Sequence, residues 1–321
     1  MQIYHLSKVE RAILSVCQLD TQLTHQEIGT SCGVRAHTVG RVIRRMVSAG
    51  VLRPYPVVNH FALGRFEFGL YLSTTGSGGA GRMWASEKKV PKTIGAITRL
   101  GGRNNLCLDL IVSSPAEATS ALNQRKLLGS EVVLEQKLVM RVRRTILQRR
   151  FFASYRARTT RIDLSPLERS LSVDQVDLKL IEAIASSPSA TLLTLGRELG
   201  LSPSAVLARR RALRASGVLA GEAYAVVSLR LGLFVFRVLI SLRTPTVRER
   251  GLLSAFLLSA TEVVTITECV GAWDYEVRVE AFTLAEIEAF RARLEQTLGP
   301  NLQSIELVPF LGTTYMSAFS P

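Results

Sequence analysis

The feature that most constrains the fold is an internal repeat. A shift of 167 residues lays Val9, Ile13 and Val16 over Val176, Leu180 and Ala183. The same shift lays Thr24, Ile28 and Gly33 over Thr191, Leu195 and Gly200, and Gly50-Val51-Leu52 over Gly217-Val218-Leu219. At a shift of 168, Phe66, Phe68, Leu70 and Leu72 fall on Phe234, Phe236, Val238 and Ile240. At 169, Leu106, Leu108, Leu110 and Val112 fall on Tyr275, Val277, Val279 and Ala281. A shift that drifts by single residues along the chain marks a duplicated unit with small loop changes.

Each copy opens with three helical signals. In the first, Leu6, Val9, Ile13 and Val16 recur at helical spacing over residues 6–18. Thr24-His25-Gln26-Glu27 reads as a capping box, in which the threonine caps the helix and the glutamate reaches back. That short helix ends at Cys32-Gly33, where glycine suits a left-handed turn. A third helix over 36–48 carries Val39, Ile43 and Met46 on one face, and a short strand pair around Val51–Asn59 follows. Helix, tight turn, helix and strands predict a winged helix-turn-helix.

Each copy closes as strand, helix, strand, strand, helix, strand. The expected helices fall at 83–97 and 247–259, then after Ser114-Pro115-Ala116-Glu117 and Thr283-Leu284-Ala285-Glu286. Ile287, Phe290, Leu294 and Leu298 make the buried stripe of the last one. Tyr275-Glu276-Val277-Arg278-Val279-Glu280 alternates apolar and charged residues, which predicts a sheet with one wet face. The order is that of a ferredoxin-like (βαββαβ) domain. The fold class is therefore α+β, in two repeats. The expected domains are 1–60 and 171–229 (winged helices), 61–145 and 230–321 (ferredoxin-like), and a basic linker at 146–170. Residues 141–161 hold eight arginines and no acid. Gly76-Ser77-Gly78-Gly79-Ala80-Gly81 imitates a dinucleotide-binding loop, but no acid follows at the right distance, so it reads as an inserted loop.

The net charge of +14 is unevenly spread: residues 1–165 hold 25 Lys and Arg against 10 Asp and Glu, and residues 166–321 hold 15 against 16. A basic first half points to a polyanion, with nucleic acid the usual one. No apolar run is long enough for a membrane span and no leader is visible, so a cytoplasmic protein without membrane contact is expected. Cys17, Cys32, Cys107 and Cys269 form no metal-binding spacing among themselves or with His5, His25, His37 and His60, so buried free thiols and no cofactor are expected.

Gly33-Val34-Arg35-Ala36-His37-Thr38-Val39-Gly40-Arg41-Val42-Ile43-Arg44-Arg45-Met46 resembles the recognition-helix segment of the leucine-responsive regulator (Lrp/AsnC) family. So does Gly200-Leu201-Ser202-Pro203-Ser204-Ala205-Val206, and Gly271-Ala272-Trp273-Asp274-Tyr275 resembles the family's sensing-domain turn. The resemblance implies a transcription regulator that binds double-stranded DNA, responds to a small molecule such as an amino acid, and forms homo-oligomers through its sensing domains. This chain departs from the family in fusing two units. Arg35 stands where a serine cap is usual, and Gly102-Arg103-Asn104-Asn105 lacks the aspartate.

On this reading Arg35, His37, Thr38 and Arg41 reach base edges, and Arg44, Arg45 and Arg53 hold phosphates. In the second copy Ser204, Arg209 and Arg211 are the DNA candidates. Gly271, Asp274 and Tyr275, with Gly102 and Asn105, are the effector candidates: Asp274 would pair an ammonium group and the backbone near Gly271 a carboxylate. Position 210, expected to be buried like Ile43, is an arginine that must snorkel or find an acid. No hydrolase motif or paired carboxylates stand at useful spacing, so no enzyme is expected. The competing readings are a sirohaem decarboxylase-like enzyme of related fold, which needs histidine and arginine in the cleft, and an architectural protein that bridges DNA without a ligand.

Overall fold

The computed structural model describes residues 3–75, 93–122, 132–152, 160–166, 173–187 and 190–315. The first helix-turn-helix comprises α1 (Lys8–Cys17), α2 (His25–Cys32) and α3 (Ala36–Ser48). Ser7 and Thr24 close reciprocal capping boxes with Glu10 and Glu27, and Gly33 takes the left-handed turn at φ 68°. Ile13, Ile28, Val39, Ile43 and Met46 are buried together, while Val9 turns outward. The second copy repeats this with α5 (Gln175–Ser186), α6 (Leu192–Leu199) and α7 (Pro203–Ala215).

The wing departs from expectation. Each copy contributes one strand, β1 (Leu52–Val58) and β7 (Leu219–Val226), and the two pair antiparallel with each other. Pro54 and Pro56 lie at positions of one parity and remove the N–H donors along a single edge of β1, so that edge cannot extend the ribbon. The helices follow the exchange. The core of the first helix-turn-helix includes Val226, Leu231 and Val235 from the second copy, and that of the second includes Val58, Ala62 and Ile111 from the first.

The remaining strands form one sheet that closes on itself. In the first copy these are β2 (Phe66–Thr74), β3 (Ile94–Leu100), β4 (Leu106–Val112) and β5 (Val133–Leu147), with α4 (Pro115–Leu122) outside. In the second they are β8 (Phe234–Leu242), β9 (Val263–Val270), β10 (Tyr275–Ala281) and β11 (Leu302–Tyr315), with α8 (Val247–Ser259) and α9 (Leu284–Leu298). The order runs β2-β4-β3-β11-β8-β10-β9-β5, and β5 returns to β2. Each closing strand thus pairs with its own copy's first strand and with the other copy's second-listed strand, β5 with β9 and β11 with β3. The pairing expected of sensing domains is made within one chain.

Three further expectations change. Residues 94–100, partly assigned to the 83–97 helix, are β3; the rest of that helix, and the Gly76–Gly81 loop, lie outside the described residues. The basic linker is partly sheet, because β5 runs to Leu147 and β6 (Arg161–Leu164) pairs back onto it. The charged face of β10 is not wet. Glu276 and Glu280 are buried, because the closed sheet turns that face onto the other copy.

Candidate nucleic-acid interface and the arginine cavity

Helix α3 begins without a side-chain cap, since Arg35 at its N-cap makes no such bond. That leaves Arg35 extended into solvent with His37, Arg41 and Arg44, and Thr38 half-exposed beside them. None of Arg35, Arg41 and Arg44 forms an ion pair with a described residue. Arg45 differs: its Nη2 lies 2.9 Å from Oε1 of Glu10, the glutamate that also closes the α1 capping box. Gly40 permits the helix packing, because a Cβ there would stand 2.9 Å from Cε1 of His25 on α2.

In the second copy Ser202 caps α7, Pro203 follows it, and the Ser204 hydroxyl lies 2.9 Å from that of Ser202. Arg209 is tied down by Asp174 and Asp177, the capping residues of α5, at 2.8 Å each. Arg211 is exposed. Arg210 finds its acid in Glu222 of β7, which Arg214 also approaches at 3.3 Å and Gln22 of the first copy at 2.6 Å.

The effector candidates sit in matching turns. One Asp274 carboxylate oxygen accepts the Leu242 N–H at 2.8 Å, and the other meets Arg250 at 2.9 Å. Asn105 does the equivalent in the first copy, accepting the Thr74 N–H and donating to the Thr74 carbonyl. Both side chains therefore brace a strand connection. Gly271 has φ 135° and packs against the β5 backbone, where a Cβ would meet the Leu138 carbonyl at 3.2 Å. Tyr275 is buried, and Gly102 takes φ 82°.

The sequence reading missed the interior between the copies. Arg141, 1% exposed, donates Nε to Glu276 at 2.9 Å and Nη1 to Glu67 at 2.9 Å and Asp109 at 2.8 Å. Arg144 also grips Glu67, and the buried His60 places Nε2 3.0 Å from it while its Nδ1 has no partner among the described residues. Burial alone would raise the Glu67 pKa, but Arg144 and Arg141 outweigh it and hold the carboxyl well below its usual range. Burial likewise opposes ionisation of Glu280, yet Arg149 and Arg278 bring it down to about 2. Gly69 makes room for this network, since a Cβ there would stand 2.8 Å from Nη2 of Arg141.

Beside the network is a cavity of about 160 Å³, lined by Arg53, Arg141, Arg144, Arg149, Arg237 and Arg278. Tyr55 and Tyr224 of the wing ribbon and Phe236 and Phe310 of the closed sheet complete its walls. Three of the thiols are buried, and burial pushes Cys17 and Cys107 up to about 12. Alternation had already put Glu276, Arg278 and Glu280 on one strand face; the missing signal was that the closed sheet turns that face onto the other copy's strands.

The architecture defines a class: a helix-turn-helix protein whose DNA-binding-type units are joined to ferredoxin-like domains. Residues 173–214 match the AsnC-type helix-turn-helix domain, so the resemblance to the Lrp/AsnC group is supported and the chain carries an AsnC-type helix-turn-helix. The proline dehydrogenase transcriptional activator of Rhodobacter capsulatus is 26% identical over 117 residues, 36% of this chain and 75% of that protein. The crystal structure of the siroheme decarboxylase NirDL, in complex with an iron-uroporphyrin III analogue, matches 98% of this chain and 96% of its own. Its TM-score is 0.58 at 12% identity, a likeness of fold. An AsnC family transcriptional regulator from Agrobacterium tumefaciens is similar over 43% of this chain and 89% of its own, at 20% identity and TM-score 0.37. No described helix is long and apolar enough to cross a membrane.

Proposed function

We propose that the chain is a sequence-specific DNA-binding transcription regulator that reads DNA chiefly through its first helix-turn-helix and is modulated by a small molecule. The observation that carries this is the contrast between the two recognition helices. Arg35, Arg41 and Arg44 project from the start and outer face of α3 with no acid partner among the described residues, whereas Arg209 on α7 is held by Asp174 and Asp177. A guanidinium free of internal acids is available for guanine or phosphate. The AsnC-type domain, matched at the second helix-turn-helix, and the Rhodobacter activator support the DNA-binding part of this reading. In it, DNA and a small effector are the partners, and any homo-oligomer forms outside the sensing-domain pairing already satisfied within the chain. Selecting bound fragments from genomic DNA, with and without amino acids, tests it; fragments sharing no motif would refute it.

A second reading is a tetrapyrrole-acting enzyme of the siroheme decarboxylase kind. Its support is the full-length likeness of fold together with an arginine-lined cavity suited to carboxylates. The cavity, at about 160 Å³, is small for a tetrapyrrole, and His60 lies behind Glu67 rather than on its wall. Incubation with iron-uroporphyrin III decides: a stoichiometric coloured complex supports the enzyme, and a colourless protein rejects it.

A further inference from the structure

The two recognition helices match in length and register but not in chemistry. Helices α3 and α7 are each 13 residues long and start 167 residues apart, the shift of the repeat. Under that shift His37, Arg41, Arg44 and Arg45 of α3 become Ser204, Ala208, Arg211 and Ala212 of α7, and all four α7 positions are exposed. Helix α7 has three other arginines, and acids hold each of them. Asp174 and Asp177 take Arg209. Glu222 of β7 takes Arg210 at 2.9 Å and Arg214 at 3.3 Å. Among the described residues, Arg211 is the arginine of α7 that meets no acid.

Glu222 also ties the two readers together. Its carboxylate accepts the Gln22 amide of the first copy at 2.6 Å, and its carbonyl accepts the Thr21 N–H at 2.8 Å. Two positions on, the Tyr224 N–H donates to the Gln18 carbonyl at 2.8 Å. One strand therefore fixes the α1–α2 connection of the first reader and α7 of the second. The β1–β7, β5–β9 and β3–β11 pairings that join the two copies are all made inside the chain. We infer that one chain by itself occupies one DNA site, and that the site is asymmetric: a guanine-containing block read by α3, and a flank on one side that α7 grips through phosphate without reading it. The inference rests on the regulator reading. Operator symmetry mirrors the symmetry of the protein, and here that symmetry is broken at the reading positions. A guanidinium forks onto guanine O6 and N7, whereas alanine offers a base edge a methyl contact and no hydrogen bond. A single cation such as Arg211 holds a phosphate, which sets register and carries no sequence.

The test is selection of duplexes from a random pool by the full-length chain, with footprinting and a titration well above Kd. One guanine-containing block without an inverted copy is expected, with protection running past it on one side and saturation at one chain per duplex. Glu222→Gln should leave the block unchanged. It should raise affinity for random duplex several-fold and steepen the salt dependence, because Arg210 and Arg214 lose their anion and can meet phosphate. If that variant fails to fold, Arg211→Ala, at an exposed position, carries the comparison. It should lower the slope of log K against log salt by about one and thin the protection on the flank alone. An inverted repeat of the block, two chains per duplex at saturation, or a block altered by either variant would overturn the inference and leave the regulator reading standing. Binding with no enriched block would overturn both.

Discussion

Arg141 of the first copy donates its Nε to Glu276 of the second at 2.9 Å, at a point where both side chains are almost wholly buried. The same guanidinium holds Glu67 and Asp109 on its own side. One cation thus spans the seam between the halves, and Trp273 donates its indole N–H to the other Glu276 oxygen at 3.2 Å.

Removing that cation takes the guanidinium from the buried Glu276 and the half-buried Asp109 and leaves Glu67 to the Arg144 guanidinium. Arg141→Leu is expected to cost about 3–5 kcal/mol, as breaking a buried charge network does. Arg141→Lys should recover little, because a single ammonium lacks the planar fork that reaches Glu276 and Glu67 together. Urea unfolding of the two variants measures this; a lysine variant as stable as the parent would show that charge alone matters.

The acid limb of stability should depend on Glu280. Its folded pKa is about 2 against the usual 4.5. A carboxyl lowered in the folded state adds stability that is complete above its unfolded value and is lost as pH falls toward the folded one. The loss therefore falls between 4.5 and about 2. Glu280→Gln should be less stable at neutral pH and should show a shallower decline across that window. Melting temperatures recorded across it check the slope, and parallel curves for the two proteins would count against the assignment.

Arg41→Ala should weaken specific DNA binding by about 1–3 kcal/mol if the guanidinium reads a base. Equal loss on random DNA would mark a phosphate contact, and unchanged binding on both would remove α3 from the interface.

Arg211→Ala on α7 should lower affinity for cognate and random DNA alike, by a factor that shrinks as salt rises, as expected of a phosphate contact. Asp174→Ala removes one of the two 2.8 Å ties on Arg209, leaving Asp177, and should raise non-specific affinity slightly. Titrations at two salt concentrations check both, and selective loss on cognate DNA for Arg211→Ala would show that the second helix also reads sequence.

Asp274→Asn should be tolerated, at less than about 1 kcal/mol, because Asn105 already braces the equivalent turn and the lost Arg250 pair is partly exposed. Asp274→Ala removes the acceptor of the Leu242 N–H and should cost about 1–2 kcal/mol. Chemical denaturation separates the two. An asparagine variant as unstable as the alanine one would make the Arg250 ion pair the main brace.

What the sequence determined by itself was everything that local periodicity and capping control. Thr24 and Thr283 cap the helices they were expected to cap, Ile287, Phe290, Leu294 and Leu298 are buried, and Arg210 finds an acid in Glu222. The duplication was legible because the second copy keeps the strand register: Leu72 opposite Leu106 becomes Ile240 opposite Tyr275. Tertiary structure alone decided that β1 pairs with β7 rather than within its own copy, and that β5 and β9 seal the sheet. Alternation assigns residues to a face but carries no information about what that face meets. Glu276 and Glu280 looked like solvent-facing charges until the other copy supplied Arg141 and Arg149, turning a wet surface into a paired interior.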